Sequence, residues 1–316
     1  RRMEDFCSIV LKVKYPEVGD TAEIEILGKK MLDWVKLSLG DTCIAEADYD
    51  EDQTVPLLIR PYLNTQYPYT VVLFSDTPLI SKTSIIDAVE ALKQNGQNVL
   101  KMTRGFVFKT AFIMSVDKIY TEQTHYLNED DFVTAFSFKQ IQLIGEMLKN
   151  RIISLHMSAG VYFEDAATTF IGADVKIGKN VRIAPNNVIT GNTIIGDNVT
   201  IKCGNVIEDC IVDVGAAIDS SRLYFSYIGK RTKVGPFAYI RPESVIGADC
   251  RIGDFVEIKK SVIGDGCKVS HLTYVGDCEM GNGCNVGCGV VFANYDGKNK
   301  HKAFIGNNVF IGSNSN

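Results

Sequence analysis

Aliphatic residues recur at every sixth position through the second half of the chain. Ile171, Ile177, Ile183, Ile189, Ile195, Ile201 and Ile207 keep that step unbroken, and after an irregular stretch Ile228, Val234, Ile240, Ile246, Ile252 and Ile258 resume it. Shorter in-phase runs follow at Ile263, Val269 and Val275, at Met280, Val286 and Phe292, and at Ile305 and Ile311, with glycine commonly next, as at Gly178, Gly196, Gly229, Gly247 and Gly264. This period matches neither the three-to-four spacing of an amphipathic helix nor the alternation of a half-buried strand. It fits a coil with three flat faces, where one aliphatic side chain per face points inward and the following glycine relieves the corner. The pattern predicts a hexapeptide-repeat parallel β-helix over residues 156–316.

The first half alternates instead. Ser8–Tyr15, Thr21–Leu27 and Tyr69–Ser75 have strand character, and Lys29–Leu39 and Thr83–Gln94 have helical spacing, which together predict an α/β domain over residues 1–155. Lys139–His156 carries its apolar residues on one stripe and is expected to be a single connecting helix at the end of that domain.

Composition narrows the function classes. With 46% hydrophobic and 22% charged residues over 316 positions, the chain has the make-up of two folded domains rather than a disordered segment. A net charge of -5 gives no broad basic field for nucleic acid or an anionic membrane, so any phosphate binding has to be local. No run approaches the ~20 apolar residues that span a bilayer. Arg1–Tyr15 scatters its charges instead of forming a signal-peptide core, so a cytoplasmic protein with no membrane insertion is expected. The nine cysteines are odd in number and never form CxxC, which argues for reduced thiols over zinc ligands or a disulfide framework.

The chemistry-bearing residues gather late in the repeats. "GPFAYIRPES", "IGDFVEIKKSVIG", "SHLTYVGD" and the polar insertion "NYDGKNKHK", followed by "FIGSNSN", resemble the acetyltransferase domain of the bacterial N-acetylglucosamine-1-phosphate uridyltransferase/glucosamine-1-phosphate N-acetyltransferase family. The resemblance implies a left-handed β-helix that assembles as a homotrimer with active sites between subunits. It implies transfer of acetyl from acetyl-CoA to the amino group of glucosamine 1-phosphate, toward UDP-N-acetylglucosamine and cell-wall precursors. His271 matches the general base, and an imidazole suits that task because the substrate ammonium has no lone pair until a proton leaves. Arg241, Lys259 and Tyr274 match positions that hold the sugar phosphate, while Asn285 and Lys300 match positions at the sugar. Cys288, Asn294, Tyr295 and Ser313 match acetyl-CoA contacts, Cys288 through its backbone. A nucleophilic role for Cys288 is the weaker idea, since direct attack by the amine needs no acyl-enzyme. Glu257 suits a salt-bridge partner and a sugar contact equally.

Two departures from the family pattern qualify this. The family continues beyond "FIGSNSN" with coils that complete the acetyl-CoA site, whereas this sequence stops at Asn316, so its coenzyme pocket is expected to be incomplete unless the chain was shortened. The first half resembles only a remnant of the uridyltransferase domain. "EILGKKMLDWV" and "TVVLFSDTPLIS" match family segments, the latter bringing Asp76 to the place of a magnesium ligand, but "VLKMTRGFVFKTAFI" matches no motif. The Gly-rich nucleotide loop is missing ahead of Lys29, and Phe138 stands where the family has a second ligand, Asn. A degenerate nucleotidyltransferase-like domain is therefore expected, with Mg2+ relevant only if that site is active. Two alternatives stay open: a bifunctional enzyme that also uses UTP, and a non-catalytic β-helix trimer that binds sugar phosphate.

Overall fold

The computed structural model describes residues 5–120 and 128–316, so the first four residues of the charge-scattered N-terminal segment lie outside it. It divides into two compact units, 1–148 and 149–316, at a point inside the connecting helix.

In the first unit, β1 (Phe6–Lys12), α1 (Met31–Leu39), β2 (Cys43–Asp48), β3 (Tyr69–Phe74), α2 (Lys82–Asn95), β4 (Val99–Met102) and β5 (Gly105–Lys109) form an α/β fold around one sheet in the order β2-β1-β3-β5-β4. β1 runs parallel to both neighbours, and β5 runs antiparallel to β3 and β4. β1 and β3 are apolar almost throughout because both faces of the sheet are covered, one side chain set joining Val10, Val71 and Leu73, the other Ile9, Leu11 and Val72. The Ser81 hydroxyl caps α2 by accepting from the Ser84 amide, and Gly96 ends it in the left-handed conformation. The strand expected over Thr21–Leu27 is not formed. Asp20 caps a single helical turn at Thr21–Glu23, and Glu25–Ile26 turns back on Lys29–Lys30 through Leu27 and Gly28, both at positive φ, as a tight hairpin requires. The connecting helix α3 runs from Phe138 to Ser158, its first turn capped by Ser137.

The second unit is a β-helix with three sheets of nine, seven and eight short parallel strands. Its inward ladders follow the repeat: Ile189, Ile207, Leu223, Ile240, Ile258 and Val275 stack in register down the second face, all of them fully buried. The stretch that looked irregular between Ile207 and Ile228 is not a break. Val212, Ile218 and Leu223 occupy the inward positions there, and the sixfold step is lost only because those coils are a residue or two shorter at their corners.

The glycines act differently from what the repeat suggested. Gly178, Gly196, Gly229, Gly247 and Gly264 have no positive φ; the left-handed corners fall instead on residues such as Asn198, Phe237, Asp249, Phe255 and Leu272. What those glycines permit is close stacking. A Cβ on Gly229 would sit 2.4 Å from the carbonyl carbon of Gly247 and 2.7 Å from the Ala248 amide, both in the next coil. Gly229→Ala is expected to destabilise the β-helix by about 1–3 kcal/mol, since backbone cannot yield as a side-chain end can. Urea unfolding followed by circular dichroism measures it, and an unchanged midpoint would contradict the close-approach account.

Candidate active site

Stacked coils convert sequence separation into adjacency. Ile252, Val269, Val286 and Ile311 are in register on the first face, so Asp254, His271, Cys288 and Ser313, each two residues further on, follow one another down one corner. Asp254 and His271 are paired by the backbone, and the His271 Nδ1 lies 2.8 Å from Asp254 Oδ1. The bond to His271 is the largest influence holding the Asp254 carboxyl below its ordinary pKa. An aspartate acceptor fixes the proton on Nδ1 and leaves the lone pair on Nε2, the tautomer a base needs. The Cys288 carbonyl accepts from the Asn314 amide, and the Cys288 side chain is exposed.

A second group forms along the next face. Arg241, Lys259 and Gly276 directly follow the inward residues Ile240, Ile258 and Val275. Arg241 donates to Glu257 Oε1 at 2.8 Å, which gives Glu257 the role of ion-pair partner. Lys259 Nζ is 3.5 Å from Asp277 Oδ2, and the Asn294 amide donates to that same oxygen at 2.5 Å and to the Tyr274 hydroxyl at 3.3 Å. Gly276 leaves the room for this: a Cβ there would come within 2.4 Å of the Tyr274 hydroxyl and 2.6 Å of the Asn294 amide.

The polar insertion folds on itself. Asp296 accepts from the Lys298 and Asn299 amides and from His301 Nε2 at 2.7 Å, and these bonds, the Asn299 amide foremost, bring its pKa down to about 2. Tyr295 pairs with Lys300 across the loop, with its hydroxyl donating to the Gly297 carbonyl. Between loop and solenoid lies a cavity of about 480 Å³ lined by Gly276, Asn294, His301, Lys302, Ser315 and neighbouring residues.

The structure thus gathers Arg241, Lys259, Tyr274 and Asn294 along one face, places His271, Cys288 and Ser313 at the adjacent corner, and sets Asn285 outward on the first face between Lys268 and Phe310. Of these, only Asn294 lines the cavity. Asp254, Asp277, Asp296 and His301 were not singled out from the sequence. The first was within reach, because Asp254 precedes His271 by seventeen residues, one short coil.

In the α/β unit, Asp76 does not fit a magnesium ligand. It is fully buried, and its carboxylate is taken by Arg104, at 2.7 Å and 3.3 Å, and by the Tyr15 hydroxyl at 2.7 Å. A guanidinium already sits where a dication would have to be, and it stacks 3.9 Å over the Phe74 ring. Burial, then the bond to Asp76, push the Tyr15 phenol well above its ordinary pKa. Phe138 is largely exposed at the start of α3, and among the described residues no group of three His, Cys, Asp or Glu side chains could hold a metal.

These repeats define a hexapeptide-repeat protein of the left-handed β-helix class. The bacterial transferase hexapeptide family matches residues 174–209, and the family described as the GMPPB C-terminal domain matches residues 224–314. Among curated relatives, the bifunctional protein GlmU of Clostridium beijerinckii is 46% identical over 233 residues, covering 73% of this chain and 50% of that protein. The GlmU of Clostridium novyi is 50% identical over 190 residues, covering 60% and 42%. That of Clostridium botulinum Loch Maree is 52% identical over 170 residues, covering 54% and 37%. The matched part of this chain belongs to the GlmU family, and the chain spans about half the length of the curated relatives it matches. Among solved structures, a GDP-perosamine N-acetyl transferase from Caulobacter crescentus aligns over 81% of this chain and 88% of its own at 16% identity and a TM-score of 0.29, too loose a superposition to compare sites.

Proposed function

We propose that this chain transfers acetyl from acetyl-CoA to the amino group of glucosamine 1-phosphate. The observation that carries the reading is the His271–Asp254 pair at 2.8 Å, set at the corner next to a face bearing Arg241, Lys259 and Tyr274, in a chain 46% identical over 233 residues to a GlmU relative. His271 Nε2 takes the proton that frees the amine lone pair, and Asp254 stabilises the imidazolium that results. Arg241 and Lys259 supply the guanidinium fork and the ammonium that a phosphate dianion calls for, releasing Glu257 and Asp277 in part as they do so. Asn285 and Lys300 contact the sugar. Cys288, Asn294, Tyr295 and Ser313 contact the thioester-bearing arm of the coenzyme. Backbone amides beside the loop face the oxyanion that forms as the amine attacks the carbonyl carbon and the C–S bond breaks.

A homotrimer whose sites are shared between subunits goes with this reading, supported by the hexapeptide repeat and the GlmU relatives. The α/β unit is a degenerate nucleotidyltransferase-like domain without uridyl transfer, a reading supported by the Arg104 guanidinium on Asp76.

Release of free CoA thiol from acetyl-CoA in the presence of glucosamine 1-phosphate tests the proposal, and no turnover above background would overturn it for this chain. Arg241→Ala is expected to raise KM for the sugar phosphate about 10–100-fold with a smaller change in kcat, the signature of lost charge-assisted binding. Steady-state kinetics with varied sugar phosphate provide the check.

A further inference from the structure

The first face of the β-helix carries a row of cations that the proposed transfer does not use. Lys233, Arg251 and Lys268 are outward-facing partners on three successive coils. Like charges placed directly opposite in a ladder repel one another. Two nearby cations are answered: Arg182 pairs with Glu164 on this same face, and Arg231 with Asp249 in the neighbouring corner. Among the described residues, the side chains of Lys233, Arg251 and Lys268 make no ion pair or hydrogen bond. Arg251 acts on Asp254 only through space, and that carboxylate is bonded to His271.

The row borders a cleft of about 610 Å³ lined by Lys202, Ala217, Asp219, Arg231, Lys233, Arg251 and their neighbours. Ala217, the register partner of Lys233, opens it by leaving the space a longer side chain would fill. The two carboxylates of the rim are already engaged. Asp219 holds Lys202 at 3.0 Å, and Asp249 takes both a 2.7 Å and a 2.6 Å bond from Arg231. What remains facing the cleft is an ammonium and a guanidinium on adjacent strands, about 4.8 Å apart at the backbone. On a protein of net charge -5 this is a local positive site with no internal counterion.

We propose that this cleft is a second ligand site, for an anion carrying a diphosphate group, with Arg251 forking onto one phosphate and Lys233 meeting the next. A guanidinium beside a point-charge ammonium suits linked phosphates better than a single carboxylate, which Arg251 alone would satisfy. The site stands apart from the Arg241–Lys259 face and does not rest on the proposed acetyl transfer.

Isothermal titration of the full chain at low ionic strength with inorganic pyrophosphate, inorganic phosphate and ADP tests it. Pyrophosphate is expected to bind more tightly than phosphate, and binding should weaken as salt rises. Titrated in an Arg241→Gln background, which takes the phosphate-holding face out of the signal, the Lys233→Gln/Arg251→Gln double variant, whose changed side chains are exposed, is expected to lose at least about tenfold in affinity. ADP binding as tightly as pyrophosphate assigns the site to the diphosphate itself, and tighter ADP binding assigns it to a nucleotide. No pyrophosphate binding by the parent chain, or undiminished binding by the double variant, overturns the proposal.

Discussion

Replacing His271 by Ala is expected to lower kcat for acetyl transfer about 10²–10⁴-fold, with KM for the sugar phosphate nearly unchanged. The size follows from the chemistry. An ammonium cannot attack a thioester, and a base held next to it changes the fraction and readiness of the free amine in the transition state rather than the affinity for the ground state. Asp254→Asn is expected to cost about 10–100-fold, because an amide can present its NH2 to Nδ1 and favour the wrong tautomer. The pair of variants separates a base from a merely structural histidine: a structural role would lower stability, whereas the base role lowers kcat in a folded protein. Full activity in His271→Ala would sink the assignment and direct attention to His301, the other histidine bonded to an aspartate among the described residues.

The architecture was legible because its signal is periodic and redundant. One aliphatic position per face, repeated over many coils, survives individual exceptions, so residues such as Ile240 and Ile258 could be placed inward from spacing alone. The exceptions were unreadable for the same reason. Where a corner loses a residue, the step changes while the ladder continues, and Val212 and Leu223 drop out of a fixed-period count though they are fully buried. The glycines were assigned the wrong task, because φ and inter-coil distance leave the same residue in a sequence. The candidate site was legible as residue types within motifs, but its partners were not. Asp254 and Asp277 become partners of His271 and Lys259 only once coil lengths convert separations of seventeen and eighteen residues into contact. The α/β unit gave less, since its strands lack a repeat to average over: the first arm of the hairpin, Glu25–Ile26, reads as the end of a strand over Thr21–Leu27 and the second, Lys29–Lys30, as the start of a helix until the positive φ at Leu27 and Gly28 is known.

Arg104→Met is expected to destabilise the α/β unit by about 3–5 kcal/mol, the cost of leaving a buried carboxylate without its counter-charge. Asp76 is fully buried, so water cannot replace the guanidinium, and the Tyr15 hydroxyl answers only part of its charge. The Arg104→Met/Asp76→Leu double variant is expected to recover most of the loss, because removing both charges removes the desolvation penalty with them. Trp34, the chain's one tryptophan, reports on this unit directly: it lies in α1, and its indole N–H donates to the Ile26 carbonyl at 3.0 Å. Urea unfolding followed by its fluorescence therefore measures each variant where the change is made. Magnesium is expected to leave the parent transition unmoved, because a dication at Asp76 would first have to displace a bonded guanidinium. A loss below about 1 kcal/mol in Arg104→Met, or a midpoint that rises with magnesium, would mean that Asp76 is open to a metal and that the α/β unit retains more of a nucleotide site than its buried ion pair implies.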